Sequence, residues 1–147
     1  MRTLVDNFLG SARCLFCGSP SGGAAVCAGC RSDLPWNTCA CPGCARPQLH
    51  PARCRACLKK SPPFDSAWAA FRLETPVHQS VHALKDHAGL TPAQLLGELM
   101  GQRLAQRPQP LPTLLIPVPL YRTRLQRRGY NQALELARGW QRVLAIE

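Results

Sequence analysis

Eight cysteines between Cys14 and Cys57 stand where they could hold metal. They form four Cys-x2-Cys pairs: Cys14/Cys17, Cys27/Cys30, Cys41/Cys44 and Cys54/Cys57. The unit C-x2-C-x9-C-x2-C occurs twice, and each cysteine of the first copy recurs 27 residues later in the second. Two residues between cysteines let one tight turn aim both sulfurs at one point, and two such turns supply the four tetrahedral thiolates that zinc prefers. Two structural Zn2+ sites are expected. The repeat favours sequential sites, one from Cys14, Cys17, Cys27 and Cys30 and one from Cys41, Cys44, Cys54 and Cys57. An interleaved arrangement joining the first pair to the third stays open.

Other uses of the thiols fit less well. A disulfide framework needs an oxidising compartment, and the first ten residues, MRTLVDNFLG, have neither an apolar h-region nor a small-residue cleavage site. The expected location is therefore cytoplasmic. Four regularly placed pairs argue against a redox role for any one of them, although an iron–sulfur cluster could use the same thiolates. Cys39 falls outside the repeat and is read as a free or packed thiol, and His50 has no vacant place in its unit.

A second chemistry lies near the other end. Arg122, Arg124, Arg127 and Arg128 fall within seven residues, and the guanidinium fork matches phosphate oxygens. Gly129 would let backbone approach a ligand, and Asn131 would cap the helix that follows. A phosphate or pyrophosphate loop and a solvated basic loop are both open on charge alone. His78 and His82, four apart, have metal-capable spacing, but without a third ligand in register they read as solvated.

The elements that must position these groups divide at Lys59-Lys-Ser-Pro-Pro63, which has linker composition stiffened by a double proline. Residues 1–63 read as a double zinc ribbon with linker, in which metal substitutes for a core. Leu4, Val5, Phe8 and Leu9 could form a helical face before it, and Leu34-Pro-Trp36 should give the two units a shared apolar contact. Residues 64–147 read as a partial α/β domain. A strand is expected over Asp65–Glu74, and a helix opened by Thr75-Pro76 should carry Val77, Val81 and Leu84 and end near Gly89. A second helix from Thr91-Pro92 to about Gln106 has the stripe Leu95, Leu96, Leu99, Met100 and Leu104. The run Thr113–Val118, bounded by prolines, suits a buried strand of a parallel sheet. The charged loop follows, then a helix with Ala133, Leu136, Ala137, Trp140, Val143 and Leu144 on one side. In α/β folds, ligands gather where such a strand ends and a helix N-terminus begins.

The formal charge of +10 overstates the basic character. Each zinc held by four thiolates carries a formal −2, so two filled sites bring the total to about +6. Residues 1–63 have eight Lys/Arg against two Asp/Glu, a net that falls to about +2 once metallated. No apolar run reaches the length of a membrane span.

Taken in order, the four Cys-x2-Cys pairs, Val81-His-Ala-Leu-Lys85, Ile116-Pro-Val-Pro-Leu120 and Arg127-Arg-Gly-Tyr-Asn-Gln132 resemble the ComF family over nearly the whole chain. The resemblance implies a double zinc ribbon ahead of a type I phosphoribosyltransferase-like domain, in a family linked to DNA uptake during natural competence. It implies that the loop from Pro117 to Gln132 meets the pyrophosphate of phosphoribosyl pyrophosphate, with Arg124, Arg128, Asn131, Gln132 and Lys85 as its candidate residues. Family members continue with a strand bearing two acidic residues and a Thr/Gly-rich loop that holds the 5-phosphate. This sequence has no adjacent acidic pair. On these 147 residues alone transferase activity is expected to be absent, and Mg2+ with phosphoribosyl pyrophosphate is expected only with a longer domain. The ribbon should then fold on its own, with the second half marginal or associated with a partner. The alternative function is a zinc-ribbon binding module for single-stranded DNA or a protein of the uptake machinery.

Overall fold

The computed structural model describes residues 12–84, 90–108 and 110–144, of Leu90 the backbone alone. The helical face expected from Leu4, Val5, Phe8 and Leu9, and Lys85, lie outside them. Six helices follow in chain order: α1 (Ala28–Ser32), α2 (Arg55–Lys59), α3 (Val77–Ala83), α4 (Leu90–Ala105), α5 (Arg122–Arg128) and α6 (Gln132–Gln141).

No strand forms among the described residues, so the strands expected over 65–74 and 113–118 are corrected, and the described part of the second half is helical. Over 65–74, pairing is confined to one bridge between Trp36 and Phe71. Arg72 N–H donates to Pro35 C=O at 2.8 Å and Asn37 N–H to Ala70 C=O at 2.8 Å. Pro35 has no N–H to return, so a ladder cannot extend through it. Over 113–118 the backbone pairs with no neighbour among the described residues, and a ladder exists only between two segments. Nor is that run buried: Ile116 and Val118 are about three-quarters exposed, at 76% and 75%.

The helical stripes read from sequence do form the core. Val77 and Leu84 of α3, and Ala93, Leu95, Leu96 and Leu99 of α4, are buried with Cys14, Val26 and Leu34 of the first zinc unit in one cluster. That unit and the helices therefore share a core. Leu34 takes part in it, while Trp36 turns to Phe71, with ring centroids 4.7 Å apart. A smaller cluster joins Leu104 and Leu144 to Trp68, Leu115 and Trp140.

Helices α4 and α6 pack at unusually close range through glycines. A Cβ on Gly139 would lie 2.5 Å from the Gln94 carbonyl oxygen and 2.8 Å from Gly97 Cα, and one on Gly97 would fall against the Leu136 carbonyl. Contacts advance in step, Gln94 to Glu135, Gly97 to Gly139 and Gly101 to Val143, so the helices run in the same sense. The chain between them must therefore travel back.

Polar side chains clasp the flank of this crossing. Arg142 donates to Glu98 at 2.7 Å and to Gln94 at 2.9 Å. Gln94 donates to Glu135 at 3.2 Å, and Arg138 pairs with the same carboxylate. Glu135 is 3% exposed, so its charge depends on these partners. Arg138 is half exposed and regains water when Glu135 is removed, which keeps the cost below that of a fully buried pair. Glu135→Ala is expected to destabilise by about 2 kcal/mol, read as a lower urea midpoint with unchanged slope.

Candidate functional site

The repeat in sequence is a repeat in structure. Bridges Arg13–Pro20 and Ala40–Pro47 close two equivalent hairpins, and α1 and α2 occupy equivalent positions after them. In the first hairpin Cys14 N–H donates to Ser19 C=O at 2.9 Å and Gly18 N–H to Cys14 C=O at 2.8 Å. In the second, Cys41 N–H donates to Arg46 C=O and Ala45 N–H to Cys41 C=O, both at 2.9 Å. The residue after the second cysteine of each hairpin is left-handed, Gly18 at φ 72° and Ala45 at φ 59°. The turn that brings both sulfurs to one side requires this.

The third and fourth cysteines come from the start of a helix. Cys27 is the N-cap of α1 and its sulfur accepts from Cys30 N–H at 3.4 Å. Cys54 caps α2, and its own N–H donates to Cys41 Sγ at 3.3 Å. The sulfurs gather sequentially, Cys14, Cys17, Cys27 and Cys30 in one group and Cys41, Cys44, Cys54 and Cys57 in the other, with all four within 4.8 Å of one another.

Three observations fit zinc to these groups. First, ligands about 2.3 Å from a tetrahedral centre stand about 3.8 Å from each other; Cys17 Sγ to Cys27 Sγ is 3.8 Å and Cys44 Sγ to Cys54 Sγ is 3.7 Å. That is far beyond a disulfide bond. Second, backbone N–H groups aim at the sulfurs and favour thiolate. Cys27 N–H pulls the Cys14 thiol down to about 6, and Cys54 N–H does the same for Cys41, also to about 6. Ser19 lowers Cys17, and Cys57 N–H lowers Cys54. Third, the last cysteine of each group moves the other way. Cys57 is pushed up to about 12 by the Cys44 thiol and then by burial, and Cys30 is raised by the Cys17 thiol and burial. Four sulfurs this close cannot all ionise unless a cation sits among them.

Among the described residues no other group gathers three or more potential metal ligands. The His78 and His82 rings lie 4.5 Å apart, tilted by 56°, on an exposed face of α3.

The basic segment is a helix and not a loop. Arg122–Arg128 forms α5, stopped by Gly129 in the left-handed conformation at φ 78°. Helix-favouring Arg, Leu and Gln, with a glycine just past two arginines, were the available signal. Arg124 is exposed and Arg128 half-buried. Asn131 caps α6 as expected, accepting from Ala133 N–H at 3.0 Å, and also donates to Val118 C=O at 3.0 Å. Gln132 donates to Leu84 C=O at 3.1 Å, and the Tyr130 hydroxyl donates to the same oxygen. Asn131 and Gln132 thus fix the start of α6 against the two segments beside it, and Tyr130, which sequence reasoning passed over, shares the task.

This geometry is that of two four-cysteine zinc-ribbon sites, and residues 4–58 match the double zinc ribbon domain. Beyond the ribbon, the chain is similar to proteins named DNA utilization protein YhgH. The relative from Salmonella typhi is 33% identical over 113 residues, covering 74% of this chain and 50% of its own length. That from Escherichia coli K12 is 30% identical over 128 residues, covering 82% of this chain and 56% of its own. The chain spans about half the length of the curated relatives it matches. No solved structure matches. Among the described residues no helix is long and apolar enough to cross a membrane.

Proposed function

We propose that the chain is the zinc-stabilised part of a ComF-type phosphoribosyltransferase-like protein that acts in DNA utilisation. Residues 1–63 supply the ribbon, and residues 64–147 begin the transferase-like domain. The observation that carries this reading is the unit from α4 to α6, two same-sense helices joined through an extended segment, with the basic residues just before the second helix. Such a unit has the connectivity of a helix–strand–helix crossover. Leu115 and Pro117 face inward while Leu114, Ile116 and Val118 face out, the period of a strand whose outer face awaits cover. Alignments covering 82% of the chain extend the similarity past the ribbon, and the relatives' name supplies the link to DNA.

In this reading Arg124 and Arg128 offer guanidinium forks to the pyrophosphate of phosphoribosyl pyrophosphate. Asn131 and Gln132 shape the backbone that receives it, and Lys85 is a further candidate. Mg2+ would accompany that ligand in a longer domain. Titration with pyrophosphate, and with phosphoribosyl pyrophosphate and Mg2+, tests the assignment. Arg128→Ala is expected to weaken binding about tenfold or more, the worth of one charge-assisted contact. Affinity unchanged by that substitution would remove the basis for the site.

A further inference from the structure

A groove crosses the C-terminal half of α4 from the first zinc unit to the second, away from the basic helix α5. It has two lobes, of about 400 and 360 Å3, which share Arg103 and Gln106. Its floor is Leu99, Gln102 and Arg103 on one face of α4, with Gln106 and Arg107 just past the helix end. One wall carries Arg31 and Trp36 near α1; the other carries Asn37, the Cys41 hairpin and Trp68. Among the described residues no Asp or Glu lines either lobe. Cys41, in the hairpin that lines one lobe, is fully buried, and the charged side chains lining the groove are Arg31, Arg103 and Arg107.

Those groups are paired with aromatic faces. Arg103 lies 5.8 Å over the Trp36 ring and Arg107 lies 5.5 Å over Trp68. Arg31 hydrogen-bonds Gln102 across the groove, which holds a third cation at the far end. Asn37 donates its amide N–H to Ala45 C=O at 3.0 Å, while its Oδ1 is buried with no hydrogen-bond partner. A buried acceptor left unpaired costs stability unless a donor reaches it.

We propose that this groove binds single-stranded nucleic acid. Phosphates would follow the line Arg31–Arg103–Arg107, and bases would stack on the arginine–indole pairs. Cationic grooves interleaved with aromatic rings bind single strands in this way, without sequence preference. The inference deepens the reading of the chain as a DNA-handling protein, and it places the contact at the junction of ribbon and helices instead of on the ribbon surface.

The test uses the full, zinc-loaded chain and a fluorescent oligothymidylate of about 15 nucleotides. Binding should quench tryptophan fluorescence and outcompete the equivalent duplex. Arg103→Gln with Arg107→Gln should weaken it about tenfold or more and lower the slope of log affinity against log salt by about 1.4, two contacts at about 0.7 each. Unaltered zinc content and far-UV spectrum verify folding of the variant. Arg53→Gln with Arg55→Gln removes equal charge from exposed ribbon positions and should leave affinity within about twofold, since unstacked surface charge adds little. Equal loss in the two double variants, equal affinity for duplex, or no binding would overturn the proposal. Pyrophosphate binding lost in Arg128→Ala, with oligonucleotide binding intact, separates failure here from failure of the transferase-like reading.

Discussion

Removing zinc with a strong chelator is expected to unfold the ribbon and to loosen α3 and α4 with it, and the two sites should differ in how far the damage spreads. The second unit has almost no core apart from its ligands: its buried cluster is Cys41, Cys54 and Cys57, with Cys44 packed against it. Cys41→Ser should therefore reduce zinc from two ions per chain to one and abolish amide protection across 41–58, while α4 keeps its own. The first unit lends Cys14, Val26 and Leu34 to the core that buries Val77, Leu84 and Leu96. Cys14→Ser should thus expose amides in α3 and α4 as well. Hydrogen exchange resolved by segment measures this, and unchanged protection of α4 in Cys14→Ser would refute the shared core.

The same sites set an acid limit. Cys14 and Cys41 are held near 6, below the ordinary thiol value of 9.0, so their contribution is present above the unfolded value and lost as pH falls through about 6. Cys57, near 12, and Cys30, also raised, keep their protons at neutral pH until metal displaces them. Zinc binding should therefore release protons at pH 7, and affinity should rise with pH. Zinc-release titration between about pH 7 and pH 4 should show loss of metal on the acid side; loss on the alkaline side would contradict the donor set.

The second large effect is expected at the helix crossing. In an exposed helix Gly→Ala gains about 1 kcal/mol from propensity. At Gly139 the new methyl would meet backbone on three sides, Gln94 O at 2.5 Å, Glu98 N at 2.8 Å and Gly97 Cα at 2.8 Å, and backbone cannot turn away as a side chain can. Overpacking of about 3 kcal/mol or more then outweighs propensity, because α6 must lift from α4 and carry Trp140 and Leu144 with it. Gly139→Ala and Gly97→Ala are each expected to lose that much in chemical denaturation. Since both relieve the same contact, the double variant should cost less than the sum. Gly29→Ala in α1, with nothing within 4 Å of the added carbon, is the control and should be neutral or stabilising. A neutral Gly139→Ala would mean the helices do not cross this closely.

Spacing along the chain decided what short-range chemistry decides. The C-x2-C turns, the Leu95–Leu104 stripe and the Asn131 cap each depend on residues within a few positions, so their signatures are local. Helix α5 was also locally encoded, by its helix formers and the Gly129 stop, but four clustered arginines read more readily as a loop. The strands fared worst. A run such as Thr113–Val118 has the composition of a strand, yet composition cannot provide the neighbour that a ladder needs.

What the sequence by itself determined is the metal chemistry: eight cysteines at a fixed repeat can converge on two tetrahedral centres whatever surrounds them. Tertiary structure alone decided that the first centre shares its core with α3 and α4, and that Gly97 and Gly139 touch. It also brought Gln132 and Tyr130 to the Leu84 carbonyl, and Trp36 and Trp68 beneath Arg103 of α4 and Arg107 just past its end. Each of those contacts joins residues dozens of positions apart, and their free energy comes from excluding water and filling space between elements, which no spacing within one element records.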